Sequence, residues 1–174
     1  MTESNPNRTC GTCAACCTVL GIAELRKHAG QACRHLDGRD PTRRCSIYAR
    51  RPKACAEYVC AWRQGLFEED FSPQRVGFVA TAYEQGWTLM VFDAKLAGGL
   101  VGGHVKTAVQ RILDGPQHDV RIVYLETGLV VFMTDGKIYQ GKMMRAKNHE
   151  NLDFACDDTP VGRYEMRKPE EVAP

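Results

Sequence analysis

Four cysteines crowd into eight positions, Cys10, Cys13, Cys16 and Cys17, and four more follow at Cys33, Cys45, Cys55 and Cys60. Thiols so close together can chelate a metal, form disulfides, supply a nucleophile or line one face of a helix. Spacing favours chelation. Two residues between Cys10 and Cys13 let the chain turn so that both sulfurs meet one ion, the step used in zinc sites. Gly11 eases that turn, because glycine adopts backbone angles that other residues resist. Cys13 and Cys16 repeat the step. Cys17 then breaks the pattern. Adjacent side chains diverge by about 100° on a helix and point to opposite faces of a strand. Cys16 and Cys17 therefore serve different positions, and eight cysteines suit two centres of four thiolates each. Bridging sulfurs would change that count.

Composition points the same way. Residues 10–63 carry only ten large apolar side chains in 54 positions, against 33 in 79 for residues 66–144. The first stretch cannot offset an ordering cost of about 1–2 kcal/mol per residue by burial. A structural zinc ion supplies on the order of 10–16 kcal/mol. A cysteine-rich helix face would explain Cys10, Cys13 and Cys17 but leaves the other cysteines without a reason. A catalytic thiol needs a base and an orienting partner. His28 and His35 are available, yet nothing singles out one cysteine, so no catalytic constellation emerges and enzymatic activity is left open. Either histidine is a substitute ligand at most. Cys156 stands apart from the set.

With these residues in view, a resemblance can be stated. The opening CGTCAACC, then Cys33, then CSIYARRPKACAEYVC resembles the CxxCxxCC cysteine-cluster (YkgJ) family of zinc- or iron-chelating proteins. It covers residues 10–62, about a third of the chain. The resemblance implies that Cys10, Cys13, Cys16, Cys17, Cys33, Cys45, Cys55 and Cys60 bind metal. Zinc is the first expectation. Iron or an iron–sulfur cluster is the alternative, since thiolates suit both. Cys10, Cys13 and Cys16 also match the opening of a bacterial ferredoxin run, but Cys17 follows at once and no proline comes after it. Relatives of this kind include a flagellin lysine methylase, so a protein-modifying or redox role stands as the second expectation beside a structural or partner-binding one. No methyl-donor site is recognisable.

The elements that must hold the cysteines divide the chain into residues 1–64, a cysteine-cluster metal-binding region with short helices, residues 65–144, a small α+β domain, and residues 145–174, a polar tail. Pro52 is expected to open a helix through PKACAEYVCAWRQ, ended by Gly65. QGLFEEDFSPQ reads as a connection. RVGFVATAY and WTLMVFD read as strands around Glu84, Gln85 and Gly86. Val105, Ala108, Val109, Ile112 and Leu113 repeat as one helical face, stopped by Gly115 and Pro116. Three more strands follow, joined at Thr127-Gly128 and at Asp135-Gly136, a strong hairpin signal. The expected order is β-β-α-β-β-β, an antiparallel sheet with one helix. The six residues GGLVGG lack the Lys-Ser/Thr of a phosphate loop and read as a connection. The Met143-Met144 pair reads as a strand end.

Charge narrows the partners. The chain has 23 basic and 21 acidic residues, a net +2, which gives no bulk pull toward nucleic acid or membrane. No apolar run approaches the roughly 20 residues that span a bilayer. The start, MTESNPNRTCG, has no basic and apolar secretory pattern, so the expected compartment is the cytoplasm, where stable disulfides are rare. Residues 26–63 hold ten Lys or Arg against three Asp or Glu. Eight thiolates and two divalent ions sum to −4, and the surplus is read as compensation for that charge. Nucleic acid is the weaker reading, because aromatic stacking residues are not interleaved with the basic ones. Metal ions, and a protein partner beside them, are the expected partners.

Overall fold

Strand-forming apolar residues build one seven-stranded sheet in the computed structural model, which describes residues 5–37, 45–83, 86–100, 102–116, 119–145 and 152–164. Strands β1 (Phe78–Tyr83) and β2 (Gly86–Val91) pair antiparallel; Glu84 and Gln85 of their turn lie outside the described residues. Short helix α4 (Ala94–Ala97) follows, its N-terminus capped by Asp93, whose carboxylate accepts from the Lys95 and Leu96 N–H groups. The helix expected from its apolar face is α5 (Gly103–Leu113), and all five of its face residues are buried. Strands β3 (Asp119–Tyr124), β4 (Leu129–Thr134) and β5 (Lys137–Arg145) complete the expected order, and the Met143-Met144 pair does lie at the end of β5. The Asp135-Gly136 turn takes positive φ at both residues, 48° and 71°, as a tight hairpin requires.

The molecule is α+β, with two departures from expectation. The sheet is mixed rather than antiparallel: β2 and β3 run parallel, from Gly86↔Asp119 to Val91↔Tyr124. The helical crossover between them carries the chain back to the edge it left, which is what a parallel pair needs. The polar tail also adds strands. β6 (Leu152–Cys156) pairs β5 at one end and β7 (Gly162–Arg163) pairs it at the other. A long β5 offers an edge that both short segments extend by backbone hydrogen bonds.

The sheet has two occupied faces. Phe78, Ala80, Leu89, Val91, Val120, Ile122, Val131 and Met133 join the α5 residues in the main core. Phe67 joins them too, 3% exposed, stacked on Phe71 and edge-on to Trp87 with ring centroids 5.8 Å apart in each case. The stretch read as a connection therefore contributes core, and it holds a second short helix-forming run, α3 (Pro73–Val76). On the opposite face, Ala15 and Val19 cluster with Val79, flanked by Met90, Phe92 and Leu125. Ala15 and Val19 belong to α1 (Ala15–Val19), so the cysteine-rich segment is docked on the sheet. Val19 is fully buried, worth about 1.5–3 kcal/mol. No described helix is long and apolar enough to cross a membrane.

Candidate metal centre

The first chelating step forms as a turn. Gly11 has φ +48° with open space where a Cβ would sit, so its backbone angle is the reason for glycine. The Cys13 N–H donates to the Cys10 carbonyl at 2.7 Å and closes the turn. Cys10 and Cys13 thus precede α1, which rules out one helical face for Cys10, Cys13 and Cys17. Within α1, burial of Ala15 and Val19 on the sheet leaves Cys16 and Cys17 on the helix flank, half-buried. Cys33 is tied to them by its N–H, which donates to the Cys17 carbonyl at 3.0 Å. Cys45 comes alongside through a bridge to Leu36, whose N–H donates to the Cys33 carbonyl. The loop between, residues 38–44, whose Gly38 and Pro41 read as turn-forming in the sequence, lies outside the described residues.

The helix expected through PKACAEYVCAWRQ is shorter than its sequence suggests. Pro52 caps α2 (Lys53–Glu57), which carries Cys55 and stops before Tyr58. Tertiary contacts end it. The Tyr58 hydroxyl meets the Thr81 hydroxyl of β1 at 2.8 Å, and the Ala61 N–H donates to the Ala80 carbonyl at 2.9 Å. The extended chain between carries Cys60 away from Cys55 and toward Cys13, both of which pack on the Ala15–Val19–Val79 cluster. On a continued helix, five residues would set Cys55 and Cys60 about 140° apart.

A second knot fixes the other side of the turn. Arg8 donates through Nη1 to the Trp62 and Phe67 carbonyls, each at 2.6 Å. Arg63 donates through Nε to the Arg8 carbonyl at 3.1 Å and through Nη1 to the Cys10 sulfur at 3.8 Å. The cation expected beside the thiols is thus found in Arg63. Arg34 instead donates to the Leu25 carbonyl, and Arg51 lies over the Tyr48 ring.

The eight thiols fall into two neighbourhoods. Cys13, held up to about 11 mainly by burial, has the Cys16, Cys10 and Cys60 thiols as neighbours. Burial also raises Cys60, beside Cys10 and Cys16. Cys17 is surrounded by Cys33, Cys45 and Cys55. Cys55, raised by burial, has Cys16, Cys33 and Cys45 near it. Cys16 stands at the seam. Its thiol donates to Cys17, which raises Cys16 and lowers Cys17. Cys10, Cys13 and Cys60 thus lie on one side, Cys17, Cys33, Cys45 and Cys55 on the other, and Cys16 neighbours both. Neither is a preformed cage: among the described residues no three His, Cys, Asp or Glu side chains converge closely enough to hold an ion. Donor chemistry nevertheless fits thiophilic ions, since all nine cysteines are free thiols. Cys156 is exposed on β6, at the far end of the strand order from β1. His28 and His35 are half-buried in the same segment, and His104 sits elsewhere, its Nδ1 against the Leu96 carbonyl.

Sequence reasoning found the eight thiols but missed Arg8, Lys27 and Tyr58. Lys27 was one of ten basic residues in its stretch, and nothing in its neighbours marked it for burial. Compared with protein-family models, with curated proteins and with solved structures, the chain matches none of them.

Proposed function

We propose that this protein binds metal ions through its eight-cysteine segment, in two adjacent four-thiolate centres, and that the ions hold that segment as a surface for a protein partner. The observation that carries the reading is that the fold gathers the thiols on two sides of α1: Cys13 and Cys60 pack on one cluster beside the Cys10–Cys13 turn, while the Cys33 N–H donates to the Cys17 carbonyl and Cys45 bridges to Leu36. Adjacent residues on one short helix serve two centres, as their diverging side chains require. Zinc is the ion favoured, because a closed four-cysteine set is a structural zinc arrangement. When bound, such an ion supplies cross-linking energy and no redox chemistry. Cys10, Cys13, Cys16 and Cys60 would hold one ion, and Cys17, Cys33, Cys45 and Cys55 the other. The fit to the cysteine-cluster family and to a cytoplasmic, reducing compartment belongs to the same proposal.

An iron–sulfur centre serving a redox or protein-modifying role is the second reading, supported by the Cys10, Cys13, Cys16 triple. Purification without air and elemental analysis separate the two. About two zinc per chain, with a colourless sample, is the expected result. A brown sample containing iron and sulfide would transfer the proposal to the second reading.

A further inference from the structure

Lys27 is the charged side chain that the described fold buries, at 5% exposed. It lies opposite Ile22 across an isolated bridge, in a tight turn made by Arg26 at φ 49°. Its Nζ donates to the Leu20 carbonyl and, at 3.4 Å each, to those of Thr18 and His28. Thr18 and Leu20 lie at the C-terminal end of α1, where a cation is favoured. Carbonyl dipoles satisfy the ammonium hydrogens but bring no opposite charge. A buried ion without a counter-charge is costly, and no carboxylate pairs with Lys27 among the described residues. Lys27 lines one cavity with Cys33, and its bond to the Thr18 carbonyl sets it beside Cys17; burial lowers its pKa, and the nearby thiols Cys33, Cys17, Cys55 and Cys16 oppose that shift.

Three of those four belong to the Cys17 centre. We propose that Lys27 is the internal counter-ion of the Cys17, Cys33, Cys45 and Cys55 centre, and that it makes this the tighter of the two. Four thiolates around a divalent ion carry −2, and the ammonium reduces this to −1. At the other centre the described cation is Arg63, at the sulfur of the exposed Cys10, where water screens the interaction. The same ammonium ties the end of the helix that presents Cys16 and Cys17, so it acts on the centre as a positioning residue as well as a charge.

The inference rests on the metal-binding reading, and zinc titration of the full chain against a competing chelator tests it. Wild type should take up two ions, one more tightly. In Lys27→Met the tighter equivalent should weaken by about tenfold or more, the scale of one nearby unit charge, while the other is unchanged. Lys27→Arg, which keeps the charge, should recover most of the loss. In a Cys10→Ser background the remaining ion should stay sensitive to Lys27→Met; in a Cys45→Ser background it should not. Should Lys27→Met fail to fold, Lys27→Gln keeps amide donors for the carbonyls without the charge and gives the same readout. Two ions bound with unaltered affinity in the neutral variants, or both weakened alike, would overturn the inference while leaving metal binding intact. No zinc taken up by wild type would remove the reading beneath it.

Discussion

Cys16 and Cys17 make opposite use of one hydrogen bond. Cys16 keeps its proton and donates it; Cys17 gains from accepting and is held below the ordinary thiol value. Cys13, Cys55 and Cys60 are raised chiefly by burial. In the metal-free protein the four raised thiols stabilise the fold while they stay protonated. Their contribution is full below the unfolded value of 9.0 and falls as pH rises through the folded values, with that of Cys13 lost by about 11. Cys17 works the other way, present above 9.0 and lost as pH falls through its lowered value. Cys16 and Cys17 titrate as one pair with opposed shifts. Cys13, Cys55 and Cys60 set the sign, so the metal-free segment should loosen as pH rises from about 9 to about 11, seen as faster amide exchange in residues 10–37. A metal-loaded sample should resist over the same range, because its thiols are already deprotonated. At equal pH, Cys13→Ser should lose about one of two ions, as removal from a four-ligand set implies, and Cys156→Ser none. Metal content after gel filtration checks this. Spacing marked the eight thiols as candidate ligands. Their grouping was not legible, since it depends on Tyr58 reaching Thr81 of β1 and carrying Cys60 away from Cys55.

Local signals predicted the elements where local chemistry decided them. Five apolar residues on one face gave α5, and Asp135-Gly136 gave the β4–β5 hairpin. Where tertiary contacts decide, the same signals misled. Pro52 and the run PKACAEYVCAWRQ suggested a long helix, but Tyr58 and Ala61 bond to β1 and α2 stops at Glu57. The five residues of β6, LDFAC, hold a short apolar–polar–apolar alternation that the polar flanks of the tail obscured, and they pair with β5. Glycine shows which joints are tight. Gly77 ends α3 at φ +74°, and a Cβ there would lie 2.4 Å from the Asp93 carbonyl oxygen. Gly77→Ala should destabilise the sheet by about 1–3 kcal/mol, measured by urea unfolding. Gly11→Ala meets no neighbour and should cost about 1–2 kcal/mol, confined to the first chelating turn and visible as weaker metal retention with an unchanged sheet transition.

At the scale of the whole molecule, two kinds of cohesion share one sheet. One face carries an ordinary core against α5. The other receives a segment held by Val19, by Arg8 at the Trp62 and Phe67 carbonyls, and, on the present proposal, by ions between sulfurs. The thin apolar content of residues 10–63 made that division legible, although Phe67 in the main core shows that the boundary near residue 65 is packed rather than loose. Strong chelator should therefore speed amide exchange around Cys10–Cys17 and Cys33 while β2, β3 and β4 stay protected. The most direct test combines elemental analysis of the anaerobically purified chain with alkylation of its thiols under native conditions. About two thiophilic ions per chain, with Cys156 alkylated and the other eight cysteines shielded, is the predicted result. A chain free of metal, in which all nine thiols alkylate alike, would contradict the account.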